Sequence, residues 1–232
     1  RLQAGERLTV GLKTGNVIDR RPTQNVIAET VAGDASKTVV FGAHLDSVID
    51  GPGINDNASG SSLLLELITA LVQLASPRYK VRFAWWAAEE RGLWGSDHYV
   101  SELSASEAAQ VLAYVNFDMV GKGFSGVFDG DGSAFSKPGP AGSGTIQKLL
   151  TQGFQGQGLT VTPAELSERT DYRAFWRTLG KPVGGTHSGV SQDRCYHSAC
   201  DNVTNIEFAT LTSHTKAAAY ALAVMAMKGL DV

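Results

Sequence analysis

Glu89 and Glu90 are adjacent carboxylates at the end of the apolar run Val81-Arg82-Phe83-Ala84-Trp85-Trp86-Ala87-Ala88. A run so rich in large apolar residues reads as a buried strand. Acids at its mouth are costly to desolvate unless something compensates them. A metal centre would do so and would divide their labour. On a near-extended backbone neighbouring side chains diverge, so one Glu can ligate while the other faces a substrate. The competing reading is a solvated strand end opening a helix, where Glu is common in the first turn. Residues of matching chemistry elsewhere favour the metal. His44 and Asp46 follow the β-like run Thr38–Ala43, and Asp56 ends the loop that begins at Gly51. Asp118 follows Leu112–Phe117, and His197 lies between Cys195 and Cys200. Two His and three carboxylates suit zinc or another borderline divalent ion. They are too many for one tetrahedral site with an open position. They are about right for two metals sharing a bridging carboxylate, an arrangement that serves hydrolysis, with one carboxylate left over as general base.

The elements that must position these groups are short strands alternating with helices. β-like runs occur at Leu8–Leu12, Asn25–Thr30, Thr38–Ala43, Val81–Ala87 and Leu112–Phe117, with a weaker one at Lys181–Gly184. A further short strand, Gly126–Asp129, is embedded in the Gly-, Ser- and Pro-rich loop Gly121–Gly144. Ser62–Leu74 has a broad apolar face at Leu63, Leu64, Leu67, Ile68, Leu71 and Leu74, behind the N-cap types Asn57 and Ser59. Thr145–Gln152 and the Ala-rich Phe208–Met227 are also helical in pattern. This alternation predicts an α/β fold with a mixed, mostly parallel central sheet covered by helices on both faces. In such open sheets, sites form outside the carboxyl ends of the strands. The candidate ligands follow the strands in that way. Residues 1–22 stand apart: their Leu8–Leu12 run is an edge strand or the remnant of another domain, and residues 23–232 form the main domain.

The chain has 232 residues, 43% hydrophobic and 19% charged, with a net charge of −3. No polybasic patch points to nucleic acid or anionic lipid, and no apolar stretch is long enough to span a bilayer. The chain opens on Arg1-Leu2-Gln3 without a signal peptide, as a processed or trimmed form would. Cys195 and Cys200 are two free thiols, a poor metal pair, or a short disulfide. The disulfide is preferred because it would rigidify His197, and it implies an oxidising compartment. His98 and His214, on helical segments, read as surface or packing residues. Asn57 opens a glycosylation sequon but adjoins a candidate ligand, so it is not read as a glycan site.

Taken together, these segments resemble a known family. His44-Leu45-Asp46-Ser47, Gly53-Ile54-Asn55-Asp56-Asn57-Ala58-Ser59-Gly60, Trp85 to Ser96, Asn116-Phe117-Asp118-Met119, Arg169-Thr170-Asp171-Tyr172 and Cys195-Tyr196-His197-Ser198-Ala199-Cys200-Asp201 are similar to the secreted co-catalytic dizinc aminopeptidases of actinomycetes, in order, from about Thr23 to the C-terminus. The resemblance implies a zinc-peptidase fold and two zinc ions per chain. His44 and Asp118 would hold one ion and Glu90 and His197 the other, with Asp56 bridging. It implies Glu89 as general base, Asp46 as the carboxylate orienting His44, and Tyr196 as hydrogen-bond donor to the oxyanion. A Cys195–Cys200 bridge would hold Tyr196 and His197. Met119, Asp171 and His187 would line the substrate pocket, His187 standing where an aromatic residue is usual. The substrates implied are peptides or proteins with a free N-terminus, cleaved by a secreted or extracytoplasmic monomer. A carboxypeptidase on the same fold would need basic groups for the substrate carboxylate, for which Arg169, Arg173 or Arg177 are candidates. A glutaminyl cyclase or a non-catalytic binding module could also be built on this fold.

Overall fold

The computed structural model describes residues 9–16, 19–73 and 76–231. Its strands are β1 (Val26–Glu29), β2 (Asp34–His44), β3 (Tyr79–Trp86), β4 (Val111–Phe117), β5 (Gly126–Phe128), β6 (Thr162–Ala164) and β7 (Val183–His187). They form one sheet in the order β1-β3-β2-β4-β7-β5-β6. The central strands β3, β2, β4 and β7 run parallel. β1 pairs antiparallel with β3, and β5 antiparallel with β7. The sheet is therefore mixed and mostly parallel, as the sequence predicts. The helices are α1 (Ser59–Val72), α2 (Trp94–Glu102), α3 (Ala105–Gln110), α4 (Ser143–Gln155), α5 (Tyr172–Arg177) and α6 (Phe208–Lys228).

The period-2 alternation of the central strands sorts the core into two layers. Val39, Phe41 and Ala43 of β2, with Phe83 and Phe117 of its neighbours, pack under α1, α4 and α6. Phe41 sits 6.1 Å from the rings of both Phe83 and Phe117. Val40, Trp86 and Tyr114 face the other way, against Val100 of α2 and Phe175 of α5. There Tyr114 stacks on Phe175 at 4.1 Å. Burying such aromatics removes large apolar areas from water, worth about 25 cal/mol per Å2. Gly42 lies beneath this layer, where a Cβ would come within 2.3 Å of Tyr114 Oη and 2.6 Å of Trp86 Nε1. Those polar tips are satisfied in sequence: Trp86 Nε1 donates to Tyr114 Oη, Tyr114 to Asn116 Oδ1, and Asn116 Nδ2 to Thr170 Oγ1.

Three expectations are corrected. Residues 9–12 form no strand and are exposed, with no partner strand beside them; Leu8 lies outside the described residues. β3 stops at Trp86, so Glu89 and Glu90 are not on extended backbone. The helix expected over Ser62–Leu74 begins earlier, at Ser59, and ends at Val72; Leu74 lies outside the described residues. The elements β6, α3 and α5, of three to six residues, are too short to announce a period. Among the described residues no helix is long and apolar enough to cross a membrane.

Candidate metal centre and active site

The carboxyl ends of β3, β2, β4 and β7 lie side by side, and each delivers one part of the site. His44 is the last residue of β2, in register with Trp86 of β3. Asp118 follows the last residue of β4, and His187 ends β7. After β3, Ala88 adopts a left-handed conformation (φ 55°) and leads into a 3-10 turn, Glu89–Arg91. Successive side chains of such a turn point about 120° apart. The two Glu residues thus diverge, through a turn rather than through strand alternation. The loop carrying Asp56 runs into α1, and the loop after β7 brings His197 across.

Two triads result: His44, Asp56 and Asp118; and Asp56, Glu90 and His197. Asp56 belongs to both. Its Oδ1 lies 3.1 Å from His44 Nε2, and its Oδ2 lies 3.1 Å from His197 Nε2. Asp118 Oδ1 is 3.2 Å from His44 Nε2, and Glu90 Oε2 is 3.0 Å from His197 Nε2. His197 Nε2 is buried and makes no hydrogen bond despite two carboxylate oxygens beside it; Glu90 Oε1 is likewise buried without a partner. His44 Nδ1 faces the backbone carbonyl of Asp46 at 3.1 Å. A carbonyl only accepts, so Nδ1 carries a hydrogen, and Nε2 is the nitrogen aimed into the acids, free to ligate once a metal displaces its proton. Orphaned ligand atoms, imidazole nitrogens aimed at carboxylates and an N/O donor set fit borderline divalent metal ions.

The charge balance agrees. Burial pulls the His44 pKa down, but Asp118 and Asp56 outweigh it and hold the imidazolium well above its ordinary range. A field that binds a proton so strongly will also bind a cation. Burial, then Asp118, pushes the Glu89 carboxyl up to about 9 in the metal-free chain. Burial, then Asp56, pushes Glu90 up to about 7.

Asp46 departs from its expected contact. Its carboxylate Oδ1 is 3.8 Å from His44 Nδ1, and the ring is met by its backbone carbonyl instead. The carboxylate accepts from the backbone N–H groups of Glu89 and Glu90, at 2.9 and 3.3 Å. It thereby fixes the 3-10 turn that aims the two Glu side chains. Cys195 and Cys200 form a disulfide. Within its loop Tyr196 stacks on His197 at 3.8 Å between ring centres. Burial, then the carboxylates of Asp56 and Glu90, pushes the Tyr196 hydroxyl up to about 12, so it stays a proton donor.

A cavity of roughly 550 Å3 opens from Asp56, Glu89, Glu90 and Asp118 towards Met119, Phe128, Arg169, Thr170, His187 and Tyr196. His187 is stacked on Phe128, and its Nδ1 accepts from the N–H of Gly189. Asp171, expected to line the substrate pocket, is not part of the cavity wall: it is fully buried with neither carboxylate oxygen hydrogen-bonded, and burial pushes its carboxyl up to about 7. Of the arginines a carboxypeptidase would use, Arg173 is paired with Asp97 and Arg177 with Glu168; Arg169 lines the cavity. His98 is exposed on α2, and His214 is buried in α6 with both nitrogens partnered, as expected. Asn57 is buried and hydrogen-bonded to Phe117, Gly60 and Met119, which excludes a glycan. Sequence reasoning does not reach Asp193 and Asn205, and it gives Asp201 no role. The signal that could find them is two acids flanking the Cys195–Cys200 loop.

A sheet that gathers two triads of candidate metal ligands at its carboxyl edge has the layout of a hydrolase site. The model of Peptidase family M28 matches residues 25–222, and the chain belongs to that family. An aminopeptidase of Pseudomonas aeruginosa is 43% identical over 218 residues, covering 85% of this chain and 40% of the relative. Leucine aminopeptidase 2 of Trichophyton rubrum is 40% identical over 242 residues, covering 96% of this chain and 48% of the relative. The chain thus spans less than half the length of these relatives. Among solved structures, a zinc aminopeptidase from Bacillus subtilis superposes with a TM-score of 0.76 at 25% identity, over 88% of this chain and 50% of that one. An aminopeptidase from Aneurinibacillus sp. strain AM-1 gives 0.72 at 27% identity, over 87% and 47%.

Proposed function

We infer that this chain is the catalytic part of a zinc-dependent aminopeptidase. The observation that carries the reading is Asp56, whose two carboxylate oxygens each face a separate His-acid pair. His44 and Asp118 would hold one zinc, Glu90 and His197 the other, with Asp56 shared. When bound, such ions supply Lewis acidity, lowering the pKa of water and stabilising negative charge on oxygen. Asp46 orients the site twice, through its carbonyl on His44 and its carboxylate on the Glu89 turn.

Glu89 is the carboxylate outside both triads, and it lines the cavity. It takes a proton from the attacking water as oxygen adds to the scissile carbonyl carbon. It then delivers that proton to the amide nitrogen as the C–N bond breaks. Tyr196, held by the disulfide loop, donates a hydrogen bond to the tetrahedral oxyanion. The acids that line the cavity, Glu89, Glu90 and Asp118 among them, suit a free α-ammonium. Met119, Phe128 and His187 form the wall for the first side chain. Arg173 and Arg177 are paired with acids, so a carboxypeptidase would have to use Arg169 in the cavity wall, and the N-acetylated substrate separates the two readings. The disulfide supports a secreted or extracytoplasmic enzyme.

The test is a panel of aminoacyl-nitroanilides assayed with and without chelator, beside an N-acetylated member. Hydrolysis that chelator abolishes and N-acetylation blocks is expected. Equal cleavage of free and acetylated substrates would exclude an aminopeptidase.

A further inference from the structure

Behind the two triads lies a buried polar cluster whose members do not line the cavity. Asp193 and Asp201 are 4% and 1% exposed, and Asn55 and Asn205 are 1% and 5% exposed. Among the described residues neither acid has a basic side chain paired with it; N–H groups alone stabilise both charges. Asp201 Oδ1 accepts from the backbone N–H of Asn55 at 2.9 Å and from Asn205 Nδ2 at 3.0 Å. Asp201 Oδ2 accepts from the backbone N–H of Asp56 at 3.1 Å. The backbone carbonyl of Asp201 takes the preceding N–H, that of Ile54, at 3.0 Å. Three successive amides leading into the shared ligand therefore end on one residue. Asp193 holds the rest: Cys195 N–H at 2.8 Å, Asn55 Nδ2 at 2.8 Å and Asn205 Nδ2 at 3.0 Å. Asn55 Oδ1 accepts from Gly121 N–H at 2.9 Å, in the segment after Asp118.

We propose that Asp201 is a positioning residue for the bridging carboxylate. By clamping the amides of Asn55 and Asp56 from the loop that carries His197, it sets the separation of the two metal-ligand triads. Asp56 has to present one oxygen to each side, so a small rotation of its backbone would favour one triad over the other. Nothing in the Asp56 loop prevents that rotation as directly as two charge-assisted hydrogen bonds to its peptide groups. Buried acids satisfied only by N–H dipoles are costly to keep, and a purely packing role would be served as well by apolar side chains. The cluster links three of the ligand-bearing segments, those of Asp56, Asp118 and His197, through one connected set of hydrogen bonds. This inference rests on the reading of Asp56 as the shared ligand.

The test compares Asp201→Asn with Asp193→Asn, which disturbs the same cluster but leaves the acceptors for the Asn55 and Asp56 amides in place. Each metal-stripped protein is titrated with zinc, and its backbone amide exchange is followed without metal. Asp201→Asn is expected to keep its secondary structure, to lose protection at Asn55 and Asp56, and to bind its second zinc about 10–100-fold more weakly. Asp193→Asn should weaken zinc by much less and keep the Asp56 amide protected. Equal losses in the two variants, or unchanged zinc binding in Asp201→Asn, would overturn the clamp while leaving the metal reading intact. Should Asp201→Asn not fold, wild-type exchange decides: free exchange at Asn55 and Asp56 in the metal-free protein overturns the clamp. Failure of the wild type to take up two zinc ions would count against the metal reading alone.

Discussion

Asp56 Oδ2 stands 3.1 Å from His197 Nε2, joining the loop before α1 to the disulfide loop after β7. Its other oxygen reaches His44 on β2 at the same distance. A single side chain thus couples the two triads, with His44 and Asp118 on one side and Glu90 and His197 on the other. Asp56→Ala should remove more than one contact. The variant is expected to retain at most one tightly bound zinc per chain, measured by elemental analysis after dialysis. Two tightly bound ions in Asp56→Ala would refute the shared-ligand reading.

Glu89 lies beside the ligands without joining either triad. Glu89→Gln keeps the shape of the side chain and removes its capacity to carry a proton. The expected outcome is undiminished zinc content with turnover lower by about 10²–10⁴-fold, the usual contribution of general acid–base catalysis. The check is kcat on an aminoacyl-nitroanilide beside metal content. Turnover near that of the wild type would remove Glu89 from the mechanism.

The disulfide closes a loop around Tyr196 and His197. Closing so short a loop restricts the unfolded chain by about 2 kcal/mol. The double variant Cys195→Ser/Cys200→Ser should lose about that much stability in denaturant melts. It should also bind the His197-side zinc less tightly, because the imidazole is no longer held. Unchanged zinc affinity would show that the loop is ordered by its hydrogen bonds alone.

His214 supplies a pH test away from the ligands. It is fully buried; its Nδ1 lies 3.0 Å from Thr186 Oγ1 and its Nε2 lies 3.2 Å from the Phe124 carbonyl. Burial pulls its pKa down to about 4. The unfolded chain, with an ordinary imidazole near 6.5, binds more protons between those values, so stability falls as pH drops from 6.5 towards 4. The full effect is about 3 kcal/mol, present above pH 6.5. His214→Gln removes this contribution, so the wild-type advantage at pH 7 should shrink at pH 4.5 in urea melts. A constant difference across that range would contradict the assignment.

Much of this was legible in the sequence, for identifiable reasons. β2, β3 and β4 are buried on both faces, so runs such as Val39-Val40-Phe41 and Phe83-Ala84-Trp85-Trp86 announce themselves. Their carboxyl ends then locate His44, the Glu pair and Asp118. The motifs around Asp56 and His197 complete both triads. The backbone turn was not legible: left-handed Ala88 has no side-chain signal, so Glu89 and Glu90 read as strand residues. β6 escapes a sequence reading because Thr162-Pro163-Ala164 gains its pairing only from Gly126–Phe128 across the sheet. The Asp193–Asp201 cluster is invisible for a similar reason. Its partners, Asn55 and Gly121, are distant in sequence and meet only in the fold.

The central claim is that two ions work together through Asp56. The most direct measurement is a zinc titration of the chelator-stripped chain, with hydrolysis of leucine-nitroanilide followed at each addition. Two zinc ions bound per chain, with activity appearing as they bind and absent without them, is the predicted result. A chain that hydrolyses the substrate fully without metal, or that binds no zinc, would contradict it.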